Sequence, residues 1–232
     1  MRSEQASERC ASTAPVLSVP DAGRPTAAIE ATLWARGLRR VAGVDEVGRG
    51  CVAGPVVAAA CILPPGLEDI PGVRDSKTLS GRQRERLAAE IRRVAIAVGI
   101  GAASHREVDR LNVRVASALA MQRALARLGA WDHVLYDGHP LPELDPERAT
   151  AVVKGDATCL SIACASILAK VVRDHLMARL ARRHPEYGWD RNAGYGTEEH
   201  LAALRRAGPT PHHRRTFAPV RELLAGQLLE PR

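Results

Sequence analysis

The sequence predicts an α/β protein: a mixed β-sheet flanked by helices, with a helical extension at the C-terminus. Three observations carry this. Two short apolar runs separated by glycines come first, with no helical period between them. From about residue 80 onward, strand-like runs alternate with segments of helical periodicity, the pattern of helices packed on a sheet. Residues 184–232 are basic and repeatedly broken by Pro and Gly. The 232 residues, 46% hydrophobic, suffice for one packed domain.

In order along the chain, residues 1–32 read as a flexible leader rich in Ser, Thr, Ala and Pro, with order beginning near Leu33. Val41–Asp45 reads as a short strand and Pro55–Ile62 as a second, buried one, with Gly48, Gly50 and Gly54 between them. Ser80 is placed to cap a helix running to about Val94, with Leu87, Ile91 and Val94 on one face. A third strand covers Ile96–Ala103. Ser104 or His105 then opens one long helix with Val108, Leu111, Val115, Leu119, Leu125 and Leu128 as its stripe. Strands follow at His133–Asp137 and Ala149–Val153. The helix after them, from about Thr158 to Arg183, presents Cys164, Leu168, Val171, Val172, His175 and Leu180 as its apolar face. Short helices are expected around Glu198–Arg206 and Val220–Leu228. Residues 33–183 thus form the main domain, and 184–232 an extension packed on it.

Composition excludes several classes. No stretch approaches the roughly 20 apolar residues that span a bilayer, and the polar N-terminus lacks a secretory core. Five cysteines, odd in number and without a C-x-x-C pair, suit reduced, buried thiols and a cytoplasmic location. The net charge of +7 fits a polyanionic partner, nucleic acid before membrane, or simply a soluble surface. Lys77, Lys154 and Lys170 are the only lysines among 33 basic residues.

Four acids stand where acids are costly. Asp45 and Glu46 end the first strand, Asp137 ends Val-Leu-Tyr, and Asp156 follows Val-Val-Lys-Gly. Carboxylates at the ends of buried strands lose solvation and repel one another, and a divalent cation offsets both costs. One such acid is usually a turn or cap residue; four, each at a strand end, point to a site for Mg²⁺ or Mn²⁺, which take oxygen ligands at variable spacing. Gly48-Arg49-Gly50-Cys-Val-Ala53 loosely fits a dinucleotide fingerprint, but Gly54-Pro55 and a strand follow where a helix is required. It is not a P-loop either, so it reads as a turn that admits a nucleic-acid strand closely, with Arg49 placed for phosphate.

These residues carry a family resemblance. Val44-Asp45-Glu46-Val-Gly48-Arg49-Gly50 with Ala53-Gly54-Pro55 resembles the opening motif of type 2 ribonucleases H, ribonuclease HII in bacteria. The resemblance continues through Arg74-Asp75-Ser76-Lys77, Tyr136-Asp137-Gly138, Val153-Lys154-Gly155-Asp156, Lys170-Val-Val-Arg173-Asp174 and Gly194-Tyr195-Gly196-Thr197. It ends at His213-Arg214-Arg215-Thr-Phe217, so that it spans about residues 38–224. It implies an RNase H-like fold, cleavage of RNA in RNA/DNA hybrid duplexes, and incision 5′ of ribonucleotides embedded in DNA. It also implies that Asp45, Glu46, Asp137 and Asp156 bind the metals, that Gly48-Arg49-Gly50 senses the ribose 2′-hydroxyl, and that Tyr195 packs on the following deoxyribose. Cys51 stands where Pro is expected, and Thr216 where Ser is commoner. Lys77 and Lys154 fall inside the motifs and are expected near phosphate, and Arg214 in a basic phosphate-binding tail. Lys170 and Asp174, four apart on one helix face, form either a surface ion pair or a support behind the metals. A monomer with no membrane partner is expected. The rivals are a binding module without turnover and ribonuclease HIII, a sister group with an extra N-terminal domain.

Overall fold

A computed structural model describes residues 15–18 and 23–226. Six strands form one mixed sheet: β1 (Val16–Ser18), β2 (Val41–Val47), β3 (Val56–Ile62), β4 (Ala97–Ala103), β5 (His133–Asp137) and β6 (Ala149–Val153), in the spatial order β1-β6-β5-β2-β3-β4. The β2–β3–β4 part is antiparallel, whereas β1, β6, β5 and β2 run parallel. All seven residues of β3 are buried, and they alternate between the two faces: Ala58, Ala60 and Ile62 join the core on one side, Ala59 and Cys61 the core on the other. The helices are α1 (Ala28–Ala35), α2 (Gly81–Val94), α3 (His105–Leu111), α4 (Val113–Leu125), α5 (Gly155–Thr158), α6 (Leu160–Ala181), α7 (Trp189–Asn192), α8 (Glu198–Ala207) and α9 (Ala218–Leu224). Helix α6 lies across β2 and β3 with α2 beside it, and α4 covers the opposite face over β3 and β4. No helix of the described residues is long and apolar enough to cross a membrane.

Four expectations need correction. Order begins before Leu33: β1 extends the sheet beside β6, and α1 packs Ile29 and Leu33 against Val41 and Ile162. Residues 1–14 and 19–22 of the expected leader lie outside the described residues, as do 227 and 228 of the last expected helix.

The long helix is two helices, broken at Asn112. Asn112 has φ 68° and ψ 164°, and its side-chain oxygen accepts from the N–H groups of Arg114 and Val115, so it caps α4. Alanine there would lose the cap and strain the backbone, so Asn112→Ala should lower stability by about 2 kcal/mol and Asn112→Gly by less. Urea melts reporting the reverse order would contradict this.

The face of α4 on the sheet is made of Ala116, Ala120, Met121 and Ala124, whereas Leu119 is only partly buried. On α6, His175 is exposed beside Glu85, and the C-terminal half buries Arg173, Met177 and Ala181 instead.

The last segment is tied to the glycine loop by backbone bonds. Arg214 N–H donates to Val52 O (2.8 Å), and Gly54 N–H to His212 O (3.0 Å). Cys51, Cys61, Cys159 and Cys164 are buried free thiols.

Candidate active site

Strand register gathers the acids. Asp45 and Asp137 each lie one residue beyond the Val44–Tyr136 pair of β2 and β5. Asp137 ends β5, whereas β2 runs on past Asp45 and Glu46 to Val47, so these two acids stand inside the strand and not at its end, as its apolar run suggested. Asp156 follows β6, the strand on the other side of β5, across a Lys154-Gly155 turn. Lys154 takes the left-handed conformation (φ 55°), a strained state for a residue with a side chain. Gly155 follows in close quarters: its N–H donates to Asp137 Oδ1 (2.7 Å), and a Cβ on it would meet Ile162 Cδ1 at 2.6 Å. The turn thereby fixes Asp156 relative to Asp137.

The acids lie close enough to act on one another's charge. Burial pushes the Asp45 carboxyl well above its usual range, and the charges of Glu46, Asp137 and Asp156 push it further. Burial also raises Glu46, partly countered by Arg49 and reinforced by Asp137. Asp137 is raised by burial and by Asp156.

Each acid holds a donor. Asp45 Oδ1 accepts from Glu46 N–H (2.7 Å), Glu46 Oε1 from Arg49 Nη1 (3.0 Å), and Asp156 Oδ2 from Lys77 Nζ (2.9 Å). In this arrangement the described residues contain no group of three or more His, Cys, Asp or Glu converging tightly enough to hold a metal ion. Two features nonetheless fit a hard divalent cation. Every donor is a carboxylate oxygen, and Glu46 Oε2 is buried with no hydrogen-bond partner among the described residues. Ligation requires the carboxylates to turn from Arg49 and Lys77.

The glycine loop leaves β2 beside this cluster. Gly48 has φ +93°, and a Cβ there would lie 2.0 Å from Arg173 Nε, so only glycine fits. Two fully buried guanidinium groups hold the loop. Arg214 donates to Gly48 O (2.6 Å), Arg49 O (2.8 Å) and Gly54 O (3.0 Å). Arg173 donates to Pro55 O (2.9 Å), Ala53 O (3.2 Å) and Ala193 O (2.7 Å).

Arg214 is therefore a correction. It sits in no exposed phosphate-binding tail, because carbonyls turned inward by the loop consume its donors. His213 is buried too, and burial pulls it down to about 3.

Arg173 was not singled out from sequence, although an arginine where the helical period demands an apolar residue is the signal. Ser166 was also missed. It bonds Ser76 Oγ (3.0 Å), linking α6 to the Ser76–Thr78 turn, and its hydroxyl eases the upward shift of the Asp45 carboxyl.

The remaining candidates are distributed around this centre. Arg49 is exposed apart from its bond to Glu46. Tyr195, 41% exposed, stands beside Cys51, because Val52 N–H donates to Gly194 O (2.8 Å). Lys154 is exposed and makes no ion pair among the described residues. Lys170 Nζ meets Asp174 at 2.7 Å, and Arg84 adds a second contact to Asp174 from α2 (3.5 Å), so the pair is a seam between α2 and α6. The structure does not bring that pair into contact with the four acids.

Comparison with known proteins places this arrangement. A family model described as Ribonuclease HII matches residues 42–220. A Ribonuclease HII of Synechococcus sp. is 58% identical over 207 residues, 88% of this chain and 93% of that protein. One of Thermosynechococcus vestitus is 58% identical over 188 residues, 81% and 88% respectively. Among solved structures, the ribonuclease H2 of Pyrococcus horikoshii superposes with a TM-score of 0.65 at 26% identity, covering 82% of this chain and all of that one.

Proposed function

Because the chain belongs to the ribonuclease HII family, we propose that it cuts 5′ of ribonucleotides embedded in duplex DNA, in addition to its action as a ribonuclease H on RNA/DNA hybrids. Enzymes of the family depend on a divalent metal, and we assign Asp45, Glu46, Asp137 and Asp156 to hold it. Two Mg²⁺ or Mn²⁺ ions held there would supply activation of water and stabilisation of charge at the leaving oxygen. The hydrolysis would add the water's hydroxyl to phosphorus, break the bond to the 3′-oxygen and return a proton to that oxygen, leaving a 3′-hydroxyl and a 5′-phosphate.

The chain's own residues do the rest. Backbone groups of Gly48-Arg49-Gly50 are rigid and free of bulk, which suits contact with a 2′-hydroxyl, both donor and acceptor. Tyr195 offers an exposed ring for the next deoxyribose. Arg49, Lys77 and Lys154 take phosphate, the first two once released from Glu46 and Asp156. The observation that carries this reading is the group of acids at or near the ends of three adjacent strands, with a Glu46 Oε2 unpartnered among the described residues, beside a glycine turn held from below.

The test is cleavage of a duplex DNA carrying one ribonucleotide. With Mg²⁺ or Mn²⁺ a single nick on its 5′ side is expected, abolished by a chelator and by Asp137→Asn. Folded Asp137→Asn protein that cuts at the wild-type rate overturns the metal assignment. Cleavage confined to long hybrids overturns the embedded-ribonucleotide reading.

A further inference from the structure

Behind the glycine loop, five histidines (His105, His184, His200, His212 and His213) gather around Tyr187 and Trp189, with neighbouring ring centroids 4.9–6.4 Å apart. Two of them form an ordered chain of hydrogen bonds. Thr210 N–H donates to His213 Nδ1 (2.9 Å), so that nitrogen is the acceptor and Nε2 carries the proton. His213 Nε2 lies 3.1 Å from His200 Nε2, which also receives Trp189 Nε1–H (3.0 Å) and must be unprotonated. His200 Nδ1–H is then left to donate to the main-chain oxygen of Tyr195 (2.8 Å).

The other end of the chain is the glycine loop itself. His213 pairs through its backbone with Ala53, and the residues on either side of it bond Gly54 and Val52. Tyr195 and the loop are thus joined twice, directly by Val52 N–H on Gly194 O and through the two imidazoles.

We propose that the His200–His213 pair is a positioning device for ribose recognition, fixing Tyr195 at a set height against the glycine loop. This rests on the reading that Tyr195 and the loop contact the substrate. Neither ring touches the reacting atoms, so both act through Tyr195.

The device works with both rings neutral, because a proton on His200 Nε2 would face two donors. The surroundings favour that state. Burial lowers both rings, and His200, His184 and His212 push His213 further down, whereas Glu199 on α8 opposes the shift at His200. Tyr187 and Trp189 contribute uncharged faces. Since the folded values lie below the unfolded value of about 6.5, the unfolded chain takes up protons first. The pair's contribution is whole above pH ~6.5 and is lost as pH falls below it.

The test uses full-length protein and two substitutions of like polarity. His200→Asn can place an amide N–H near the Nδ1 position and keep the bond to Tyr195 O; His200→Gln places it near Nε2 and leaves that carbonyl without its donor. On the single-ribonucleotide duplex, His200→Gln should lose about tenfold or more in kcat/KM, chiefly through KM, while His200→Asn stays within about threefold of wild type. In a Tyr195→Ala background His200→Gln should cost nothing further. Additive losses overturn the positioning role and leave the substrate reading standing, whereas Tyr195→Ala protein with wild-type kinetics overturns the substrate reading and the proposal with it. Nitrogen NMR of the wild type needs no variant: Nδ1–H on His200 and Nε2–H on His213 are expected, and either opposite tautomer refutes the chain.

Discussion

Asp45→Asn should abolish cleavage and yet make the metal-free protein more stable. Its carboxylate is buried and faces the charges of Glu46, Asp137 and Asp156, all of which raise its pKa. Asparagine keeps the shape, and its oxygen can still accept from Glu46 N–H, while the charge that causes the repulsion is gone. A gain of about 1–2 kcal/mol is expected, a rise of a few degrees in Tm for a chain of this size. Loss of a metal-binding oxygen should cost activity about 100-fold or more.

The sign with pH follows from the same shifts. Asp45, Glu46 and Asp137 have folded pKa values raised above their ordinary 3.8–4.5, so the folded protein binds these protons more tightly than the unfolded chain. The penalty is therefore present above the raised values and is relieved as pH falls through them. Buried neutral histidines pull stability the other way below pH ~6.5, so the clean quantity is the difference between variant and wild type, which should shrink as pH drops toward 4. Millimolar Mg²⁺ or Mn²⁺ should raise the wild-type Tm and leave that of Asp45→Asn nearly unchanged. Superimposable melts of the two proteins, with and without metal, would rule this out.

That these four acids would gather was legible because each breaks a local rule: a carboxylate at or near the end of an apolar strand has a cost visible in sequence. The strands were legible for the complementary reason, since Val, Ile and Ala runs between glycines have few other uses. Asn112 was not. The apolar stripe continues across it from Val108 to Val115, and periodicity alone does not register a backbone set at positive φ. Strand β1 depends on the exposed edge of β6, a partner more than 130 residues away, so nothing within Val16–Ser18 announces it. Arg214 was misread for the same non-local reason. Two adjacent arginines look like a solvated basic patch until the loop they follow is seen to turn three carbonyls inward, 160 or more residues earlier in the chain.

That burial makes Arg214→Lys a severe substitution and separates the structural role from phosphate binding. The guanidinium lies 5.0 Å over the Phe217 ring and spreads three donors to Gly48, Arg49 and Gly54. Burial lowers its pKa to about 10, which still leaves it charged at neutral pH. A compact ammonium cannot span three carbonyls in a planar fork. Each acceptor left unpaired in the interior costs about 1–3 kcal/mol, so a loss of roughly 3–5 kcal/mol is expected, with kcat/KM down at least about 100-fold as the loop loses its set geometry. A phosphate contact behaves differently. Its removal weakens binding to every duplex and makes the plot of log K against log salt shallower by about one. Lys77→Ala should do that, since the Lys77 side chain is largely exposed beside Asp156. Arg214→Lys should leave the salt slope unchanged while discrimination between ribose and deoxyribose falls. A wild-type melting temperature for Arg214→Lys, or a slope shallower by about one, would return Arg214 to the surface role that its sequence context suggests.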